Sequence, residues 1–120
     1  MDIEGTVYIV DDDDAVRDSL QALMDAVGLR SKAYASGDQF LEATLPPGSG
    51  AVLLDLKMPG SSGIDVLNRL ARDQHPNPVI VITAHADPKT VSQAIAAGAI
   101  AVLEKPLQKT LLIDTIRRVL

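Results

Sequence analysis

The chain contains no cysteine and no tryptophan, and its aromatic side chains are only Tyr8, Tyr34 and Phe40. Without cysteine, disulfides and thiolate metal sites are both excluded, which agrees with a reducing compartment. Basic residues are also in short supply: 11 Lys and Arg stand against 16 Asp and Glu, for a net charge of −5. That balance argues against direct nucleic-acid binding by this stretch, because phosphate backbones demand clustered Lys and Arg. Long apolar runs are missing too. None approaches the ~18 residues of a membrane span, and no apolar segment follows a basic stretch at the N-terminus. A soluble, cytoplasmic protein is expected. What the chain does have is 47% hydrophobic content in 120 residues, enough for one compact domain over 1–120 with a core that needs no staples.

Short apolar runs alternate with longer segments of helical period. Thr6 to Val10 (TVYIV) is β-branched and aromatic, and reads as a strand; Val16, Leu20, Leu23, Met24 and Val27 then share one helix face. Gly28 suits the position just past that helix, and one of the aspartates before it suits the N-cap. A weaker strand, Arg30 to Tyr34, leads to Ser36 as the cap of a short helix through Phe40 and Leu41, ended by Pro46, Pro47 and Gly48. Ala51 to Leu54 (AVLL) reads as a buried strand, followed by the loop DLKMPGSSG and a helix with Ile64, Leu67, Leu70 and Ala71 on one side. Val79 to Ile82 (VIVI) is the clearest buried strand. Pro88 then opens a small-residue helix containing Val91 and Ile95, stopping at Gly98. Ala99 to Leu103 is the last strand, and Leu112, Ile113, Ile116, Val119 and Leu120 mark a terminal helix. Roughly five strand–helix pairs with strands apolar on both sides call for an α/β fold, a doubly wound parallel sheet covered by helices on both faces.

In such a sheet, groups just past the strands' carboxyl ends converge on the crevice where strand order reverses. That rule collects Asp11 and Asp12 after strand one, Asp55 after strand three, Thr83 at the end of strand four and Lys105 after strand five. With strand order 2-1-3-4-5, the three aspartates flank the switch point. Two carboxylates at ~4 Å repel by roughly 4 kcal/mol at an effective dielectric of 20, so the fold must keep them apart, solvate them or supply a cation. Oxygen ligands without nitrogen or sulfur favour Mg²⁺. Cation, lysine and hydroxyl around one carboxylate describe a resting place for a phosphoryl group, shared among metal, ammonium and hydroxyl. Asp55, after a buried strand and before a turn-rich loop, is the expected nucleophile, giving an aspartyl phosphate.

The segments VYIVDDDDAVRDSL, VLLDLKMPGSSG, VIVITAH and AGAIAVLEKP resemble the receiver domains of two-component response regulators over essentially the whole chain. Among these the chain looks closest to FixJ-type receivers, which precede LuxR-like helix-turn-helix outputs. The resemblance implies a flavodoxin-like (βα)5 three-layer sandwich with Asp55 as phosphoacceptor. It implies Asp11, Asp12 and the Lys57 main-chain carbonyl as Mg²⁺ ligands together with Asp55, and Thr83 and Lys105 as phosphate contacts. It further implies a cis Lys105–Pro106 bond, a histidine kinase or phosphotransfer protein as donor, and Lys57 and His85 at the rim, where they influence water attack. One departure stands out. Members of the family generally carry Tyr or Phe on the last strand where this chain has Val102, so no aromatic rotamer switch operates there. Thr83 and the loop Ala84 to Asp87 are then expected to close on the phosphoryl group, with the helix from Pro88 to Ala97 shifting instead.

Ordinary roles compete at each position. Asp13 and Asp14 read as a helix cap and a first-turn charge ahead of metal ligands. Asp11 and Asp12, taken alone, serve equally well as solvated loop acids, and Asp55 as a turn residue before Met58-Pro59-Gly60. Thr83 alone is a strand terminus and Lys105 a surface lysine. His75, in the stretch HPNP, is a loop residue. A signalling module acting on itself, rather than an enzyme, is the leading expectation. A haloacid-dehalogenase-like Mg²⁺ phosphohydrolase with Asp11 as nucleophile is the alternative, since Asp11 and Asp13 form a D-x-D pair. A receiver that no longer takes phosphate and serves only for docking is a third. Gln93, Ala96, Ala97, Arg117 and Arg118, on the last two helices, are candidates for a homodimer or output-domain contact together with the last strand.

Overall fold

The computed structural model of the chain describes residues 5–43, 50–57, 63–75 and 77–120. The turn at Met58-Pro59-Gly60, the helix end at Pro46, Pro47 and Gly48, and Pro76 lie outside the described residues. Strands β1 (Thr6–Val10), β2 (Arg30–Tyr34), β3 (Gly50–Asp55), β4 (Val79–Thr83) and β5 (Ala101–Glu104) alternate with helices. The helices are α1 (Asp14–Ala26), α2 (Gly37–Glu42), α3 (Gly63–Arg72), α4 (Pro88–Ala96) and α5 (Lys109–Val119). All strand pairings are parallel in the order β2-β1-β3-β4-β5, so the sheet has the doubly wound, flavodoxin-like arrangement expected.

Alternation along each strand divides the core into two layers, because successive side chains point to opposite faces. Val7, Ile9, Leu53, Ile80, Ile82 and Leu103 pack with Leu20 and Met24 of α1 and Leu112, Ile113 and Ile116 of α5. Tyr8, Val10, Val52, Leu54 and Val81 face the other way, onto Phe40 of α2, Val66, Leu67 and Leu70 of α3 and Ala94 of α4. The inner strands β3 and β4 are buried throughout, which is why they read as unbroken apolar runs. Edge strands β2 and β5 are only partly covered.

Several boundaries and faces differ from the sequence expectation. β5 starts at Ala101 rather than Ala99: the Ala99 amide still bonds back to the Ala94 carbonyl of α4, and Ile100, whose amide donates to Val79 of β4, leads into the strand. On α3 the buried face is Gly63, Val66, Leu67 and Leu70; Ile64 is half-buried and Ala71 exposed. On α4 only Ala94 is buried, and Ile95 lies open to solvent. Ala97 is not a free surface residue: it caps α4 and packs against the core.

The helix ends follow capping chemistry. Gly28 takes φ +79, the left-handed conformation that only glycine adopts without strain, one residue past the C-cap of α1. Asp13 is the N-cap, its carboxylate accepting from Ala15 N at 2.9 Å and Val16 N at 3.2 Å. Replacing it removes an acceptor from two otherwise orphaned amides. Asp13→Ala is expected to lower unfolding free energy by about 1 kcal/mol, read by urea denaturation, with Asp13→Asn close to the parent.

Candidate functional site

The aspartates that open the chain's first loop do four different things. Asp11 is fully buried; its Oδ1 accepts from Asp13 N at 2.9 Å and its Oδ2 lies 3.1 Å from Lys105 Nζ. Asp12 is exposed, Asp13 caps α1, and Asp14 pairs with the Arg17 guanidinium. Crowding of like charge is thus relieved by assigning each carboxylate its own partner or solvent.

β3 runs beside β1 in register, with Val10 opposite Leu54, so Asp55 emerges next to Asp11. Asp55 is 5% exposed. Its Oδ1 accepts from Lys57 N at 3.2 Å, and its Oδ2 lies 3.6 Å from Lys105 Nζ, so both oxygens are oriented. Burial raises the Asp55 carboxyl above the usual range, Asp11 and then Asp12 push the same way, and the Lys57 amide and Lys105 ammonium pull against them. For Lys105, burial alone would lower the ammonium; the hydrogen bond to Asp11 and the charges of Asp55 and Asp11 override it and leave it raised.

One carboxylate oxygen from each of Asp11, Asp12 and Asp55 lies within 4.8 Å of the others. An all-oxygen set containing an exposed acid suits a hard cation that keeps part of its water, so these residues fit Mg²⁺. Thr83 ends β4, one residue beyond the partner of Asp55 on that strand. It is 2% exposed, and its hydroxyl accepts from His85 N at 3.2 Å. Lys57 and His85 are exposed. The Lys105–Pro106 bond is cis. His75 packs its ring on Phe40 and accepts from Asn77 N through Nδ1, a loop role far from these residues in the fold.

This arrangement, with carboxylates of β1 and β3 facing a lysine beyond β5, agrees with the comparison to known proteins. The family described as the response regulator receiver domain matches residues 7–117. The chain belongs to this family. The receiver is similar to the response regulator protein TmoT of Ectopseudomonas mendocina, 40% identical over 119 residues, covering 99% of this chain and 54% of that protein. It is also similar to the transcriptional regulatory protein FixJ of Bradyrhizobium diazoefficiens, 37% identical over 108 residues, covering 90% and 53%. The chain therefore spans about half the length of the curated relatives it matches. Among solved structures it resembles FixJ-N, with a TM-score of 0.85 at 35% identity over 98% of this chain and 94% of that one. The response regulator StyR matches with a TM-score of 0.89 at 36% identity, over 98% and 60%.

Nothing in these likenesses supports the phosphohydrolase alternative, and the receiver's geometry speaks against it: the Asp13 of the D-x-D pair spends its carboxylate on the N-terminus of α1. Three residues near the site escaped sequence reasoning. Arg17 donates to the Asp11 main-chain carbonyl at 2.7 Å and so braces the loop that carries Asp11. Its spacing from Asp14, three residues along a helix, is the signal that could have found it. Glu104 Oε2 accepts from Ala86 N at 3.0 Å, across 18 positions of sequence. Gly63 brings α3 against the backbone of Asp55 and Leu56. Neither of these two contacts leaves a local pattern.

Val102 is half-buried in the layer facing α3 and α4. The aromatic side chains Tyr8, Tyr34 and Phe40 cluster at the β2 side of that same layer, with ring centroids 5.3 to 6.5 Å apart. In this sheet β3 and β4 separate β1 from β5, a span of about 14 Å at usual strand spacing.

Proposed function

We propose that residues 1–120 form the phosphoacceptor module of a two-component response regulator. It takes a phosphoryl group from a phosphohistidine of a sensor kinase or phosphotransfer protein onto Asp55. The change in surface then controls transcription through a separate domain. The observation that carries this reading is the convergence of Asp11, Asp12 and Asp55 within 4.8 Å, with Lys105 reaching two of them.

In this reading a carboxylate oxygen of Asp55 forms the new P–O bond as the P–N bond of the donor breaks, and the electron pair leaves on the imidazole nitrogen. Asp11, Asp12, Asp55 and the Lys57 main-chain carbonyl would hold Mg²⁺. Bound there, the ion supplies positive charge to the carboxylates and to the phosphoryl oxygens. Lys105 contributes a second cation and Thr83 a hydroxyl donor, so acceleration comes from positioning and charge neutralisation. Lys57 and His85, both exposed, border the path of attacking water and tune the lifetime of the phosphorylated form. Without an aromatic at Val102, Thr83 and the following loop close on the phosphoryl group and α4 shifts. Chemical shifts of α4 that stay unchanged on phosphorylation would refute that route. Gln93, Ala96, Arg117 and Arg118 are exposed, as are the apolar Ile95, Ile100 and Leu111, and together they offer a surface for a second copy or an output domain.

Incubation with Mg²⁺ and a small acyl phosphate, followed by peptide mapping, tests the assignment. One phosphoryl group on Asp55 is expected; uptake at Asp11, or none at all, would sink it. Mg²⁺ binding also has a thermal signature. Because the ion binds the folded chain, Mg²⁺ at a hundredfold excess over its Kd should stabilise by about 2.7 kcal/mol, seen as a rise in Tm. Asp12→Asn, at an exposed position, is expected to weaken that rise without lowering the metal-free Tm.

A further inference from the structure

We propose that Glu104 is a positioning residue: it latches the loop between β4 and α4 in its unphosphorylated place and competes with a phosphoryl group on Asp55 for that loop. The inference rests on the aspartyl-phosphate reading above and names the residue that restrains the response.

Glu104 ends β5 and is paired with Thr83 across the ladder. Its side chain is exposed, yet it does not simply point to water: Oε2 accepts from Ala86 N at 3.0 Å. Thr83 is held to the same strand end by Lys105 N, which donates to its carbonyl at 2.8 Å. Between Thr83 and Asp87, the N-cap of α4, lie only Ala84, His85 and Ala86. His85 N is bound by the Thr83 hydroxyl and Ala86 N by Glu104, so both amides already have acceptors. Val102, two residues earlier on β5, offers neither a ring nor a polar atom for the task.

A phosphoryl group on Asp55 replaces the single carboxylate charge with about −1.5 to −2 carried on phosphoryl oxygens, which seek N–H and O–H donors at the neighbouring strand end. The donors at hand on β4 are the Thr83 hydroxyl and the amides that follow it. A carboxylate on that loop is therefore a rival acceptor and a repelling charge. Two anions contend for one short segment, and their coupling is reciprocal: whatever weakens Glu104's hold strengthens binding of the other. The loop leads directly into α4, so its release is passed to that helix through the Asp87 cap.

The test uses the full chain, with beryllofluoride and Mg²⁺ as the phosphoryl mimic. Glu104→Ala is expected to tighten beryllofluoride binding about threefold, the factor one exposed hydrogen bond supplies. Glu104→Gln keeps an oxygen acceptor and should stay closer to the parent. In the absence of metal and mimic, the Ala86 amide should exchange its hydrogen faster in Glu104→Ala than in the parent. Unchanged or weaker binding by Glu104→Ala, equal behaviour of the Ala and Gln variants, or unchanged Ala86 exchange would overturn the latch. If the parent itself binds no beryllofluoride, the aspartyl-phosphate reading falls and takes the latch with it; binding by the parent with no response to Glu104→Ala removes the latch alone.

Discussion

Asp55→Asn is expected to abolish covalent phosphoryl uptake and, in metal-free buffer near neutral pH, to make the protein more stable. The two effects have one cause. Asp55 is buried beside Asp11, and both facts raise its carboxyl. A raised folded value means that the folded state holds the proton more firmly than the unfolded one. The stability this contributes is complete below the unfolded value, ordinarily near 3.8, and is lost as pH rises through the higher folded value. At neutral pH the ionised carboxylate therefore strains the fold. Lys105, 3.6 Å away, offsets part of the repulsion but not all of it, so removing the charge brings net relief. Denaturant midpoints across pH 3 to 8 check the sign: the advantage of Asp55→Asn should appear on going from acid to neutral pH and shrink when Mg²⁺ is added to the parent. A less stable Asn variant at neutral pH would contradict the burial and charge argument even if phosphorylation were lost.

The second large effect is steric. A Cβ built on Gly63 falls 2.5 Å from Leu56 Cα and 2.6 Å from the Asp55 carbonyl oxygen, both backbone atoms that cannot swing aside. Gly63 N also donates to the Leu56 carbonyl at 3.0 Å, so the start of α3 is pinned to the end of β3. Gly63→Ala must push the helix away from the strand or deform the segment that carries Asp55. A loss of about 2–3 kcal/mol is expected, in the range for overpacking a tight core, and phosphoryl uptake should slow because the carboxylate moves. Equilibrium denaturation gives the first number and a time course with acyl phosphate the second. Ala71→Gly, on the exposed side of the same helix, serves as control and should lose only about 1 kcal/mol of helix propensity with no change in rate.

Much of this molecule is legible from residue order. Period-2 and period-3.6 patterns arise from local backbone geometry, so TVYIV, VIVI and the faces of α1 and α5 identify themselves. Capping is equally local: Asp13 and Ser36 bond amides two or three residues ahead, and Asp87 does the same beside Pro88, the residue that marks the start of α4 in the sequence. The rule that strand ends converge in a doubly wound sheet then collects Asp11, Asp12, Asp55, Thr83 and Lys105 without coordinates. α3 and α4 are less legible. Neighbouring elements choose which part of each apolar stripe is covered: Val66 is buried in place of Ala71, and Ile95 is left outside.

Residue order alone specifies the alternating elements, the caps of α1 and α2, and the short list of polar residues at one edge of the sheet, because elements and caps depend on neighbours within a turn or a strand. Only the tertiary structure decided how those polar residues divide their tasks. Lys105 meets Asp11 across 94 positions, Glu104 takes the Ala86 amide, and Gly63 admits α3 to the backbone of β3. Such contacts are set by register between strands and by the path of the crossovers, which no stretch of consecutive residues specifies.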